Sequence, residues 1–228
     1  KYEYTALASS VSDDDDIDFD TLAATLNSLQ ASNSRAFIYL PEVGNSYFAS
    51  YSLKVKNNAI GRGWLTNPWY GAMGTALPYA RVIAQHVKAQ ELDAKPIVII
   101  GDGGFHFQLN ELIHFLKDRT DVVIIYMRNN VFHLGKSGEQ DIYHCNDLAF
   151  DVSAIIKGYQ GMYYTSKTIA EFKQAFGSAV ERTGINLIEV RAKPTEERQC
   201  NELRLLNLYI KAKNGDKASI AKWETLTK

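Results

Sequence analysis

The chain has 228 residues, of which 46% are hydrophobic and 22% are charged, and its formal net charge is −1. This length suits one α/β domain with a sizeable core. The near-neutral charge gives no electrostatic reason to expect nucleic acid or a membrane surface as a partner.

Signals for targeting or metal binding through cysteine are lacking in the sequence. No apolar run approaches the roughly 18 residues of a membrane span, and no signal-peptide pattern opens the chain. The two cysteines, Cys145 and Cys200, are far apart and lack metal-ligand spacing. Idle thiols are typical of a reducing compartment, so we expect a cytoplasmic protein. The chain begins at Lys1 rather than methionine, which we interpret as a processed piece or an expressed fragment.

The first half of the chain is expected to open with a leader and then to alternate helix and strand. Residues 1–17 are polar and predicted to be poorly ordered. The acidic run at residues 13–16 offers a cation site, but a solvated leader at the N-terminal end of a helix is the simpler interpretation. The next elements are a helix over 17–30, a strand over 36–40 and a helix over about 72–90. Because proline is tolerated in a first turn, Pro78 allows that helix to begin nearer Ala76 or Leu77.

The second half contains two continuous apolar runs, at residues 96–100 and 121–127, which are typical of strands covered on both faces. Apolar residues at helical spacing between them predict a helix over about 107–117. The remaining elements are a helix over 148–159, a strand over 162–165, a helix over 168–183 capped by Gly184, a strand over 185–192 and a helical tail. This alternation predicts a mainly parallel α/β sheet. We expect one domain over 1–193 and a helical extension over 194–228.

Small polar residues follow both apolar runs. Asp102 lies in a Gly-Asp-Gly-Gly sequence directly after the first run, and Asn130 ends an Asn-Asn pair after the second. Ligands of open parallel sheets bind outside the carboxyl ends of the strands, so both side chains are expected to meet in one crevice. Mg²⁺ prefers such oxygen ligands and commonly bridges them to phosphate. Gly103 and Gly104 leave backbone N–H groups accessible beside it, so the sequence predicts a Mg²⁺-diphosphate site.

Two commoner phosphate motifs do not fit the sequence. A dinucleotide fingerprint starting at Gly101 would need glycine where His106 stands. A P-loop ending at residues 135–137 would need glycine where Asn130 stands. A single Gly-Asp-Gly is more often an ordinary turn, but the pair of motifs in a strand-helix-strand context is much more specific.

The Gly-Asp-Gly of residues 101–103, followed after 25 residues by Asn129-Asn130, resembles the signature of thiamine-diphosphate-dependent enzymes. The likeness covers about residues 18–193 and is closest to acetolactate synthases and related 2-oxo acid decarboxylases. Further stretches resemble that group, namely FIYLPEVGNSYFAS, WLTNPWYGAMGTALPYARVIAQ, FHFQLNEL and LIEVRA. The resemblance implies the C-terminal, diphosphate-binding domain of such an enzyme. Its fold is a three-layer, doubly wound, mainly parallel sheet with helices on both faces.

The resemblance also implies the site residues. Mg²⁺ would be bound by the side chains of Asp102 and Asn130 and by the backbone carbonyl of Phe132. Thiamine diphosphate would contact Gly44, Asn45, Ser46, Gly71, Met73, Gly101, Asp102, Gly103, Gly104 and Asn130. Met73 resembles the bulky residue that bends the cofactor, although a methionine at a helix start is otherwise more often part of the core.

The catalytic residue is expected outside this chain. The family's activating glutamate lies in a separate pyrimidine-binding domain, and neither Glu42 nor Glu111, which have look-alikes in the diphosphate domain, resembles it. His106 and His133 lie near the predicted site, but an uninvolved histidine is the better interpretation of each. Lys136 is expected to be solvated rather than to meet phosphate.

The leading hypothesis is half of the active site of a 2-oxo acid decarboxylase or carboligase, a lyase or transferase. Its partners would be a 2-oxo acid, a pyrimidine-binding domain of the same or another chain, and further copies in a dimer or tetramer. The alternatives are a non-catalytic cofactor-binding or assembly domain and an unrelated nucleotide-binding α/β domain.

Overall fold

The computed structural model of the chain describes residues 11–56, 63–67, 70–130, 151–192 and 200–226. Its strands are β1 (Ala36–Pro41), β2 (Ala94–Gly101), β3 (Val122–Arg128), β4 (Met162–Ser166) and β5 (Ile185–Arg191). Its helices are α1 (Phe19–Ser32), α2 (Asn45–Ala49), α3 (Ala76–Ala89), α4 (Asp102–Phe107), α5 (Leu112–Asp118), α6 (Val152–Gly158), α7 (Ile169–Glu181), α8 (Asn201–Lys213) and α9 (Lys217–Leu226). Single 3₁₀ turns occupy Ser50–Ser52 and Leu109–Glu111.

The five strands form one sheet in the order β1-β2-β3-β5-β4, and each neighbouring pair is parallel. Side chains alternate between its faces, and both faces are covered. One face packs with α1 and α7, and the other packs with α3, α5 and α6. Burial on both faces explains why the strands are continuously apolar in the sequence. The predicted three-layer α/β fold with a helical tail is confirmed.

The prediction for α3 is refined by the structure. The helix begins at Ala76, as the alternative start allowed, and Pro78 is its third residue. A proline in the first turn removes no hydrogen bond, because the first four N–H groups have no partner within a helix.

The helix predicted over about 107–117 is confirmed only in part, because the segment is not one continuous α-helix. The chain forms α4 directly from Asp102, leaves helical geometry at Gln108 (φ −115°, ψ 9°), and resumes as α5 after a 3₁₀ turn. The side chain of Gln108 is buried and hydrogen-bonded to three separate segments. These tertiary bonds fix its position, which the local apolar spacing could not indicate.

The expectation of a poorly ordered leader needs correction for its last residues. The backbone carbonyls of Asp13 and Asp15 accept the N–H groups of Ala170 and Ile169, at 2.9 and 3.1 Å, at the start of α7. Asp13 also forms an exposed ion pair with Lys173 (2.6 Å). Ile17 is completely buried. The backbone of the acidic run is therefore held against the start of α7, while Asp13, Asp14 and Asp15 are exposed to solvent as the sequence predicted.

A smaller difference concerns the end of α7. Helix α7 ends at Glu181 with Arg182, rather than Gly184, as its C-cap, although Gly184 does adopt a positive φ of 88°. The predicted start of α6 at residue 148 lies outside the described residues. None of the described helices is both long and apolar enough to cross a bilayer.

Candidate cofactor site

The carboxyl ends of β1, β2 and β3 lie side by side, and each is followed by polar residues. The parallel register pairs Pro41 with Ile99 and Gly101 with Met127. Glu42, Asp102 and Asn129 therefore follow three adjacent strands at one edge of the sheet. This is the edge at which parallel α/β sheets bind ligands.

Asp102 is the first residue of α4, and its carboxylate is 2% exposed. Its Oδ2 accepts the backbone N–H groups of Asn129 (3.0 Å) and Asn130 (2.9 Å), and its Oδ1 accepts the hydroxyl of Tyr126 (2.6 Å). Burial raises the pKa of the Asp102 carboxyl, and these three hydrogen bonds act in the opposite direction. The carboxylate thus links the start of α4 to the end of β3.

Asn130 adopts the left-handed conformation (φ 57°), which asparagine tolerates better than most residues. Its side-chain Oδ1 accepts a hydrogen bond from Nε of Arg128 at 3.2 Å. Because its own N–H bonds to Asp102, the structure brings together the two residues that the sequence predicted to meet. Whether they bind a metal stays a prediction.

Arg128 forms an ion pair with a buried acidic group. Glu189 on β5 is 1% exposed and faces Arg128 (3.4 Å), Nε of Arg191 (3.1 Å) and the hydroxyl of Tyr163 (3.0 Å). A buried carboxylate requires such partners, since its desolvation is otherwise costly. The two arginines and Glu189 extend the polar edge from β3 to β5 and β4.

Glu42 and Gln108 form a second buried network that the sequence did not reveal. Oε2 of the fully buried Glu42 accepts the N–H groups of Thr75 (3.2 Å) and Ala76 (3.1 Å), and it also accepts the side-chain amide of Gln108. Gln108 in turn accepts the N–H of Leu77 at 2.9 Å. The network caps the N-terminus of α3, where a negative charge is favourable. It holds the start of α3 against the end of β1 and against α4.

Gly104 lies directly against this network. A Cβ atom at Gly104 would be 2.5 Å from Cγ of Glu42 and 3.0 Å from Cγ1 of Ile100. Only glycine permits this approach, because the Glu42 side chain is held by its hydrogen bonds and cannot move aside.

We therefore expect Gly104→Ala to lower the free energy of unfolding by about 1–3 kcal/mol, as overpacking does elsewhere. Gly177→Ala is the matched control, because Gly177 lies within α7 and a Cβ there would meet nothing within 4 Å. The free energy of unfolding of this control should be unchanged or should rise by up to about 1 kcal/mol, because alanine has a better helix propensity than glycine. Urea denaturation of both variants measures the contrast, and equal stability would contradict the tight approach to Glu42.

The turn before α3 carries the predicted residues Gly71 and Met73. Gly71 (φ 54°) and Gly74 (φ 96°) both have positive φ, which glycine adopts without strain. Met73 is 43% exposed, so the alternative interpretation of this residue as a core methionine is wrong. Its exposed side chain is accessible to a ligand.

The segment after β1 contains Gly44, Asn45 and Ser46. Gly44 has φ 118° and ψ −152° and precedes α2. Ser46 is 2% exposed. The side-chain Oδ1 of Asn45 is buried and has no hydrogen-bond partner among the described residues. Since buried polar atoms are rarely unpaired, Asn45 offers a polar contact to a bound group.

Other residues singled out in the sequence are less informative. His106 is half-buried in α4, and burial lowers the pKa of its imidazole, opposed by the nearby Asp102. Glu111 lies in the 3₁₀ turn and Cys200 is buried. The predicted residues Phe132, His133, Lys136 and Cys145 lie outside the described residues.

A sequence model of one family matches residues 42–190, more than half of the chain, and its description is "Thiamine pyrophosphate enzyme, C-terminal TPP binding domain". The chain belongs to this family. The matched residues contain the described part of the candidate site from Glu42 to Glu189, and only Arg191 lies just beyond them. Thiamine pyrophosphate (TPP) is thiamine diphosphate, so the predicted family and domain are confirmed. No curated protein sequence matches the TPP-binding domain significantly.

Solved structures resemble this TPP-binding domain. One is the thiamine diphosphate-dependent 4-hydroxybenzoylformate decarboxylase of Rhodococcus jostii RHA1, with TM-score 0.64, 23% identity, and coverage of 82% of this chain and 34% of the other. Another is the benzoylformate decarboxylase of Polynucleobacter necessarius, with TM-score 0.64, 17% identity, and coverage of 77% and 33%. At these identities the likeness shows the fold. The domain spans about a third of the length of these structures.

The residues of the TPP-binding domain fit a Mg²⁺-diphosphate group. Both lone-pair positions of Oδ2 of Asp102 are occupied by N–H groups, whereas Oδ1 has one hydrogen bond and one position left. Oδ1 of Asn130 likewise accepts one hydrogen bond and has a second position. Among the described residues, no cluster of three or more His, Cys, Asp and Glu side chains could hold a metal. This donor set suits a hard ion that completes its coordination with phosphate oxygens.

Proposed function

We propose that this TPP-binding domain holds the Mg²⁺-diphosphate half of the active site of a 2-oxo acid decarboxylase or carboligase. The observation that carries the proposal is the junction of two strand ends, in which Asp102 receives the N–H of Asn130 at 2.9 Å. Asp102 and Asn130, which carry one carboxylate and one amide oxygen, thereby meet at the edge where the fold binds ligands.

Each segment of the site has a defined part in this proposal. Oδ1 of Asp102 and Oδ1 of Asn130 would bind Mg²⁺, with the backbone carbonyl of Phe132 as the third protein ligand. Gly103 and Gly104 would offer N–H groups to the diphosphate, helped by Gly44, Asn45 or Ser46 after β1. Met73 would support the bent cofactor, with the backbone of Gly71 meeting its aminopyrimidine ring. Bound in this way, thiamine diphosphate supplies the nucleophilic carbon and the electron sink for the loss of CO₂.

A 2-oxo acid substrate is supported by the proteins of similar fold. Two of them are named as decarboxylases of benzoylformate or its 4-hydroxy derivative, which are both aryl 2-oxo acids. We propose a pyrimidine-binding domain, carrying the activating glutamate, as the partner that completes the site. A homodimer or homotetramer in the cytoplasm is the expected setting.

Calorimetry tests cofactor binding directly. Titration with thiamine diphosphate in the presence of Mg²⁺ should release or absorb heat, whereas thiamine diphosphate with EDTA, ATP with Mg²⁺ and NAD should not. Binding of ATP or NAD in place of thiamine diphosphate would support an unrelated nucleotide-binding domain and contradict the proposal.

A turnover assay tests the enzymatic part of the proposal. The chain is combined with candidate pyrimidine-binding segments that carry the glutamate, and consumption of benzoylformate and other 2-oxo acids is measured. We expect at least one combination to show Mg²⁺-dependent turnover. If thiamine diphosphate binds but no combination turns over a 2-oxo acid, the chain is a non-catalytic cofactor-binding domain.

A further inference from the structure

Tyr126 places a hydroxyl group inside an otherwise apolar part of the core. It is the fifth residue of β3 and is completely buried. Its ring stacks on Phe105 of α4, with centroids 4.4 Å apart and an interplanar angle of 24°. Its hydroxyl donates to Oδ1 of Asp102 at 2.6 Å. A buried tyrosine hydroxyl usually has a hydrogen-bond partner, and here the partner is the central carboxylate of the site.

The two carboxylate oxygens of Asp102 have different hydrogen-bond partners. Oδ2 is fully used by the N–H groups of Asn129 and Asn130, which fix one edge of the carboxylate. Oδ1 is left with the Tyr126 hydroxyl, and no other hydrogen bond to it is seen among the described residues. The hydroxyl therefore prevents rotation about the last side-chain bond and leaves one lone pair of Oδ1 in a fixed direction.

We propose that Tyr126 is a positioning residue that holds Oδ1 of Asp102 in the orientation required for binding the divalent cation. This inference rests on the proposed function, because it assigns Oδ1 to the metal. Hydrogen bonds to the non-coordinating side of a metal ligand orient it, and their loss typically costs 10–100-fold in metal affinity. The Phe105 stacking keeps the tyrosine ring in place independently of the hydroxyl.

The substitution Tyr126→Phe removes the hydroxyl and keeps the ring. In the intact protein with saturating thiamine diphosphate, the dissociation constant of Mn²⁺, used as a probe for the Mg²⁺ site, is measured from the free-ion signal in electron paramagnetic resonance. We expect about tenfold or greater weakening relative to the wild type. Thermal unfolding without metal should change only slightly, because the ring and its packing on Phe105 are retained.

Tyr39→Phe is the matched control. Tyr39 is also a completely buried strand tyrosine, but it lies on the other face of the sheet, and its hydroxyl has no hydrogen-bond partner among the described residues. Its removal should leave the Mn²⁺ affinity within about twofold of the wild type, well below the effect expected for a lost supporting contact. The inference is overturned if Tyr126→Phe retains wild-type affinity, or if both variants weaken binding equally. If the wild type itself fails to bind Mn²⁺ with thiamine diphosphate, the proposed function fails as well.

Discussion

Replacement of Asp102 with alanine should abolish the Mg²⁺-dependent binding of thiamine diphosphate. Loss of a residue that only supports a metal ligand already costs 10–100-fold, so we expect loss of the ligand itself to weaken binding by more than about 100-fold. Isothermal titration calorimetry in the presence of Mg²⁺ measures the change. The reason lies in the donor set, since Asp102 provides the carboxylate that meets Asn130 at the strand ends.

The same substitution should also reduce stability, and the two effects must be separated. Asp102→Ala leaves the Tyr126 hydroxyl and the N–H groups of Asn129 and Asn130 without their acceptor. The fully buried hydroxyl of Tyr126 alone costs about 1–3 kcal/mol when it is left without a partner. Binding is therefore measured well below the unfolding temperature, with circular dichroism confirming the fold.

Asp118→Asn is the control for the Asp102 variant. Asp118 ends α5 at the opposite edge of the sheet, where its carboxylate pairs with Arg81 at 2.5 Å. It should leave the affinity for thiamine diphosphate unchanged. Wild-type affinity in folded Asp102→Ala would remove the basis for placing the cation at this carboxylate.

Glu42→Gln should be the most destabilising conservative substitution in the candidate site. The Glu42 carboxylate accepts hydrogen bonds from Val43, Thr75, Ala76 and Gln108 and donates none. A carboxamide offers one oxygen, and its NH₂ group would face at least one of these donors. We expect a loss of roughly 3 kcal/mol, which lowers the melting temperature by about 6–12 °C in a domain of this size.

Cofactor affinity should fall together with stability in this variant, because Glu42 holds the start of α3 that follows Gly71 and Met73. Glu111→Gln is the control, since it makes the same chemical change in the 3₁₀ turn at Leu109–Glu111. That variant should retain both the melting temperature and the affinity for thiamine diphosphate. If Glu42→Gln and Glu111→Gln have the same melting temperature, Glu42 is not the cap of α3 that the geometry indicates.

The sequence predicted those features that depend on local pattern. The apolar runs at 96–100 and 121–127 correspond to β2 and β3, because burial on both faces excludes polar residues from a strand. Asp102 and Asn130 were recognisable because they follow those runs directly, and parallel strands end at the same edge of a sheet.

The features that escaped prediction depend on contacts between distant segments. Gln108 interrupts the helix because its side chain bonds to Glu42 and Leu77, which are far away in the chain. Helical spacing carries no information about such bonds. For Tyr126 a signal was present, because a lone hydroxyl in a buried strand usually has a hydrogen-bond partner. The identity of that partner required the fold.

Asp102 stabilises the fold and, in the proposed function, also binds the metal. These two roles have a consequence for the evolution of this domain. Even without a cofactor, its carboxylate accepts hydrogen bonds from Tyr126, Asn129 and Asn130 and so stabilises the end of β3. A descendant that no longer needed thiamine diphosphate could not discard this aspartate freely, because three donors, among them the fully buried hydroxyl of Tyr126, would lose their acceptor at once. Selection for folding alone would tend to preserve it. The presence of the aspartate in a relative is therefore weaker evidence of cofactor use than the binding measurement itself.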